Sequence, residues 1–289
     1  MTIPSYSLNL DHVAVNIHVH PALSEASRIA VLFVLHGHPA SAHHMKPIVN
    51  GTFELAKNKA MLLKAKRNLV IITFDMEDDY SEVAEEPEHE STQVYRKQER
   101  IASTVSRLMD TLPAVLCPNN DRFIDTWMVA GLSLGAHAAC DTWMVAGLSL
   151  GAHAAWLAMD RDPRLSVCIP IIGSPDFLDI ATARNNLTGF PLVSSYMTPT
   201  TRNYILKHDP VSHSRSSLRP NPFMNKHILA LAGAQDSLIP FLATRQFLDR
   251  INVGPLGTKQ LIIQQGVGHQ CTREMVVEMV EVIWDRVLQ

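Results

Sequence analysis

Two Gly-x-Ser-x-Gly stretches, Gly131-Leu132-Ser133-Leu134-Gly135 and Gly147-Leu148-Ser149-Leu150-Gly151, offer this 289-residue chain two candidate nucleophiles, Ser133 and Ser149. A serine hydroxyl attacks poorly until a histidine takes its proton, and that histidine needs a carboxylate to hold its tautomer and stabilise the imidazolium. Both partners occur downstream. Asp236 lies in Gly233-Ala234-Gln235-Asp236-Ser237-Leu238-Ile239-Pro240 and His269 ends Gly266-Val267-Gly268-His269, which gives the chain order Ser, Asp, His. Attack on an acyl carbon creates an oxyanion, and losing one N–H donor to it costs about 2.7 to 4 kcal/mol. The candidate donors are the backbone N–H groups of His38, just after His36-Gly37, and of Leu150, just after Ser149; Leu134 takes that place if Ser133 is used. Asp236 equally suits a cap for the helix that follows, and Asp176 is the second candidate for the acid. The histidines His36, His38, His43 and His44 also invite a metal reading, but no acidic ligands lie near them in the sequence.

The two elbows belong to a repeat. Residues 125–139 recur letter for letter as 141–155, with only Cys140 between the copies. Each Gly-x-Ser-x-Gly follows the apolar run Trp-Met-Val-Ala, the context of a nucleophile elbow at a strand-to-helix turn. Adjacent parallel strands need a crossover of a dozen or more residues, longer than residues 132–140, so the copies compete for one place in the fold. Copy one has the better lead-in, Phe123-Ile124; copy two has the better continuation, because Trp156-Leu157-Ala158-Met159 extends its helix. The helix must span the sheet, so the sequence favours Ser149 and makes residues 125–140 an apolar insert ahead of strand five, at the N-terminal edge of the sheet.

Elements that must position these residues are visible in the hydropathy. Residues 6–20 alternate around an Asp11-His12 break, as an antiparallel hairpin does. Apolar runs at 29–35, 69–74, 165–172, 227–231 and 260–263 read as buried parallel strands. Helix-compatible segments fall at 46–66, 91–116, 239–251 and 272–288, and the last carries an apolar stripe through Met275, Val276, Met279, Val280, Ile283 and Val287. The pattern predicts an α/β fold: a mostly parallel central sheet with an N-terminal antiparallel hairpin and helices on both faces. In such folds the sites collect at the C-terminal ends of the strands.

With 46% apolar and 18% charged residues the chain can build a large core, and without a linker-like stretch it reads as one domain. The N-terminus has no basic start followed by an apolar core, so a cytoplasmic location is expected, with the four cysteines as free thiols. A net charge of −3 and cations spread along the chain argue against nucleic-acid and membrane partners. Residues 76–90 hold eight acids and no Lys or Arg; beside a cleft mouth they would repel anionic substrates, and elsewhere they are a solvated loop. The excursion 175–225 carries Phe177, Leu178, Phe190, Leu192, Tyr196 and Tyr204, suited to a small lid or to packing short helices.

At these residues the chain resembles the α/β-hydrolases over about residues 29–288: His-Gly after strand three, Gly-x-Ser-x-Gly after strand five, Gly-Ala-Gln-Asp after strand seven and Gly-Val-Gly-His after strand eight. Residues 207–220 ahead of strand seven are similar to small esterases of the prolyl-oligopeptidase and dienelactone-hydrolase branch. The resemblance implies hydrolysis of an ester or related acyl bond by Ser149, Asp236 and His269, with no metal or organic cofactor; it names no substrate, and the expectation of a small uncharged ester comes from the acidic stretch 76–90. Competing readings are a peptidase or thioesterase and, from a different class, a binding or scaffold protein whose site the duplication impairs.

Overall fold

A computed structural model of the protein describes residues 3–20, 26–37, 40–75, 90–132, 150–188, 197–213 and 220–289; of these, residues 90–93, 150 and 184–188 are described in their backbone only. One eight-stranded sheet organises them, in the order β1-β2-β4-β3-β5-β6-β7-β8. The antiparallel hairpin is β1 (Ser5–Leu10) and β2 (Val13–Val19), joined by Asp11 and His12 at φ 51° and 64°, the left-handed pair a two-residue hairpin turn demands. β2 pairs antiparallel to β4 (Asn68–Phe74); from β4 onward β3 (Arg28–Leu35), β5 (Phe123–Leu132), β6 (Leu165–Ile171), β7 (His227–Gly233) and β8 (Thr258–Gln264) run parallel.

Strand alternation divides the core in two. Ile29, Val31, Phe33 and Leu35 of β3 face one side, where α2 (Glu90–Leu116), α3 (Leu150–Arg161) and α7 (Leu242–Arg250) bury Val105, Leu108, Trp156 and Phe247. Ala30, Leu32 and Val34 face the other, against Val49 and Phe53 of α1 (Lys46–Ala60) and Met275, Met279 and Ile283 of α8 (Arg273–Ile283). Both faces of the sheet are thus covered, which is why its strands read as continuous apolar runs. Between β6 and β7 lie α4 (Phe177–Thr188), α5 (Pro199–His208) and α6 (Pro210–His213).

Three differences from the sequence reading have physical causes. The helix expected over 46–66 stops at Ala60: Met61, Leu62 and Leu63 close its last turn onto the Lys57 and Lys59 carbonyls, and Lys66 N–H goes to Leu288 O, which feeds the chain into β4. The helix expected from 239 begins at Leu242, because the Leu238 and Ile239 N–H groups are taken by the Asp236 side chain. The third concerns the repeat. Residues 125–132, expected in an insert ahead of strand five at the N-terminal edge of the sheet, are β5 itself, hydrogen-bonded between β3 and β6 at the sheet centre. The two copies are identical over the strand, so only the lead-in distinguishes them; Phe123 and Ile124 extend the pairing to Arg28 and Ile29, and Arg67 binds Asp125 at 2.7 Å.

Candidate active site

Asp236 and His269 meet. Asp236 follows β7 and His269 follows β8, and these adjacent parallel strands bring the two loops to the same, C-terminal end of the sheet. Their backbones are stitched together: Ala234 N–H donates to Gln264 O at 2.9 Å and Gln235 N–H to Val267 O at 2.9 Å. Gly233 permits this approach, since a Cβ there would lie 2.4 Å from Val267 O and 2.5 Å from Gly268 O. Gly266 takes φ 75°, the left-handed conformation that turns the chain out of β8.

The result is a hydrogen bond of 2.8 Å between His269 Nδ1 and Asp236 Oδ2, with the two side chains only 8% and 1% exposed. A carboxylate only accepts, so Nδ1 carries the hydrogen and Nε2 of the neutral ring is the basic nitrogen. Asp236 Oδ1 accepts the N–H groups of Leu238 at 3.0 Å and Ile239 at 2.9 Å. The two oxygens thus have separate partners: Oδ1 caps the turn toward α7 and Oδ2 accepts from His269. Asp176, the second candidate, is engaged otherwise; its Oδ1 accepts Asp179 N–H at 3.1 Å at the start of α4, and its own N–H donates to Ser174 Oγ at 3.2 Å.

The strand-to-helix turn draws on both copies of the repeat. β5 ends at Leu132 of copy one, and α3 begins at Leu150 of copy two. Gly131 and Gly151 touch: a Cβ on Gly131 would lie 2.0 Å from Gly151 O, and one on Gly151 would lie 2.5 Å from His36 O and 2.7 Å from Leu132 O and Leu35 O. Gly131 is the first glycine of the first Gly-x-Ser-x-Gly and Gly151 the last glycine of the second, so the contact joins the two copies. A Cβ on Gly173, just beyond β6, would meet the Ala152 methyl at 2.2 Å, so the first turn of α3 is wedged between the ends of β3, β5 and β6. Ser133, Ser149 and the other candidate donor, His38, lie outside the described residues. Leu150 is the first residue of α3, where backbone N–H groups have no partner within the helix.

Two neighbouring pairs were not singled out from sequence. His36 is buried at the end of β3, its Nδ1 donating to Gly37 O at 2.8 Å and its Nε2 3.8 Å from Asp75 Oδ1; the same oxygen accepts Ala42 N–H at 2.6 Å, so Asp75 clasps the loop after β3. Burial holds His36 below the usual imidazole range. His153, one turn into α3, donates from Nδ1 to Ser174 O at 2.9 Å and lies with Nε2 3.1 Å from Asp209 Oδ1, off the hydrogen-bond axis. Asp209 Oδ2 accepts Phe177 N–H at 2.9 Å, so this pair ties α3, the start of α4 and the α5–α6 junction together. The readable signal for Asp75 was its place directly after an apolar strand. His153 and Asp209 are brought together only by the fold. Among the described residues, no group of three or more His, Cys, Asp or Glu is gathered as a metal site would be.

Comparison with solved structures places this architecture. TT1662 from Thermus thermophilus matches with a TM-score of 0.64 at 18% identity, over 99% of this chain and 98% of that one. The Pyrococcus furiosus esterase Pf2001 matches with a TM-score of 0.55 at 13% identity, over 98% and 93%. ATU1826 from Agrobacterium tumefaciens, a protein of unknown function assigned to the α/β hydrolases, matches with a TM-score of 0.51 at 15% identity, over 98% and 95%. No protein-family model and no curated protein matches the chain. The chain has the α/β-hydrolase fold, as its sequence motifs lead one to expect.

Proposed function

We propose that the protein is a serine hydrolase that cleaves an uncharged carboxylic ester through an acyl-enzyme. The observation that carries this reading is the 2.8 Å bond from His269 to Asp236 on adjoining loops beyond β7 and β8. The fold's likeness to an esterase and to assigned α/β hydrolases supports the same reaction class. Ser149 is taken as the nucleophile because in the chain it immediately precedes α3, whose Gly151 packs against Gly131 at the end of β5. His269 Nε2 takes the Ser149 Oγ proton as Oγ attacks the acyl carbon. The imidazolium is held by Asp236, and the oxyanion is held by the N–H groups of His38 and Leu150. Collapse expels the alcohol, which leaves with the proton from Nε2; water then attacks the acyl-serine with His269 again the base, releasing the acid and restoring Ser149. The eight acids of residues 76–90 favour neutral over anionic acyl donors such as polyanionic thioesters.

A fluorophosphonate probe and a short-chain chromogenic ester test this. No Lys or Arg lies between residues 123 and 160, so trypsin leaves both serines on one fragment and the assignment rests on variants. The expected result is labelling of wild type and of Ser133→Ala, and loss of labelling with a fall in kcat of at least about 10³-fold in Ser149→Ala. Full activity in Ser149→Ala overturns the nucleophile. Absence of labelling and turnover in the folded wild type overturns the enzyme in favour of a binding protein, and turnover of amides or thioesters in preference to esters overturns the substrate class.

A further inference from the structure

The connection from α1 to β4 carries an exposed apolar triplet inside a basic run. Met61, Leu62 and Leu63 are 70%, 86% and 48% exposed, three consecutive large apolar side chains where a folded surface ordinarily shows them singly. Leu62 also forms the edge of a shallow groove between α1 and α8, with Leu55, Val277 and Val280. Lys57, Lys59, Lys64, Lys66 and Arg67 flank the triplet in sequence, between the exposed Glu54 on one side and Asp75 on the other, with no acid in between. Lys59 is paired with Glu281, and Arg67 with Asp125; Lys64 and Lys66 are exposed on either side of the buried Ala65. Asp285 and Arg286 stand exposed after α8, where the chain's last turn meets Lys66 and Arg67, and they offset one another in charge. The local balance is positive on a molecule whose net charge is −3.

We infer that this knob is a docking site for an anionic phospholipid bilayer, with residues 61–63 entering the headgroup layer and Lys64 and Lys66 meeting its negative charge. An apolar tip alone fits a second protein copy as well, but the exposed ammonium groups of Lys64 and Lys66 would repel those of that copy and attract acidic headgroups. The expectation of no membrane partner rested on the charge of the whole chain; this segment departs from it. Among the described residues no helix is long and apolar enough to cross a membrane. The knob's position sets the orientation. α1 leads back from the C-terminal end of β3 to the start of the parallel neighbour β4, so the knob lies at the sheet end opposite Asp236 and His269. A docked molecule would face its cleft to the water, with a substrate arriving from solution.

Vesicle co-sedimentation of the full chain tests this without reliance on hydrolysis. Vesicles of phosphatidylcholine alone are compared with vesicles containing equal parts phosphatidylglycerol, at about 0.1 M salt and again at high salt, where screening weakens charge attraction. Wild type should bind the anionic vesicles, bind them less at high salt, and leave the neutral ones unbound. Met61→Ser/Leu62→Ser/Leu63→Ser and, separately, Lys64→Glu/Lys66→Glu should each lower the partition at least tenfold, with melting temperature unchanged because the residues are exposed. The idea fails if folded wild type ignores anionic vesicles, if binding survives the serine substitutions, or if the serine variant instead abolishes a dimer in wild type that binds no vesicle.

Discussion

Asp236 divides its carboxylate between two tasks, and the division is testable with two substitutions. Asp236→Asn keeps an oxygen to accept the Leu238 and Ile239 N–H groups but puts an amide where His269 needs an acceptor. It should leave stability within about 0.5 kcal/mol of wild type while lowering kcat by about 10³- to 10⁴-fold through the wrong tautomer. Asp236→Ala should lose activity to the same degree and about 1 kcal/mol of stability besides, the ordinary worth of a cap. Urea unfolding beside ester kinetics on the two variants separates the tasks; equal stability of Asn and Ala variants would show that the Oδ1 contacts contribute nothing. This residue and His269 were legible because each ends a strand in a glycine-rich loop, in the order the chemistry needs. The use of both oxygens was not legible, since a cap and an orienting acid ask for the same residue at the same place.

Elements were legible where periodicity has one explanation. The hairpin and every strand but the fifth were, and so were the existence and type of the long helices. Ends were less so: no glycine or proline marks the stop of α1 at Ala60, and the chain beyond it is held by a tertiary bond from Lys66 N–H to Leu288 O in the C-terminal turn. The repeat misled for a related reason. In the sequence, lead-in and continuation read as properties of a whole copy, whereas β5 takes the lead-in of one and α3 the continuation of the other. Between Leu132 and Leu150 the chain must close on itself, for Gly131 and Gly151 are in contact. Closing a connection of that length costs about 2.5 kcal/mol of chain entropy beyond a single-residue turn. A chain lacking residues 133–148 should therefore melt roughly 5 °C higher in calorimetry and hydrolyse esters at least as fast as the full chain. A lower melting temperature would show that the repeat contributes contacts that outweigh its closure.

At the scale of the molecule, titration and charge follow the fold rather than the composition. Burial, and behind it the neighbouring Asp176 carboxylate, pushes Asp179 up to about 6. A folded-state value above the unfolded one means that the native protein binds the extra proton between about pH 4 and pH 6, so stability falls as pH rises through that window. Asp179→Asn should leave stability unchanged below pH 4 and raise it above pH 6 by roughly 1 kcal/mol, a figure reduced for the solvent that reaches this half-buried group. Unfolding midpoints at pH 4 and pH 7 check the sign. The pairs His36 with Asp75 and His153 with Asp209 belong to this scale too, because strands and helices far apart in sequence bring them together.

The turn shared between two identical copies has one more consequence. Removing any sixteen consecutive residues that begin anywhere from position 125 to position 140 yields the same polypeptide, with Leu132 followed by the sequence Ser-Leu-Gly and the helix intact. The extra length can therefore be shed in any phase by a slip of one repeat unit, and every such slip restores one unbroken Gly-x-Ser-x-Gly. Cys140 is the one side-chain type lost without a second copy, so a fall from four thiols to three would report the reversion chemically.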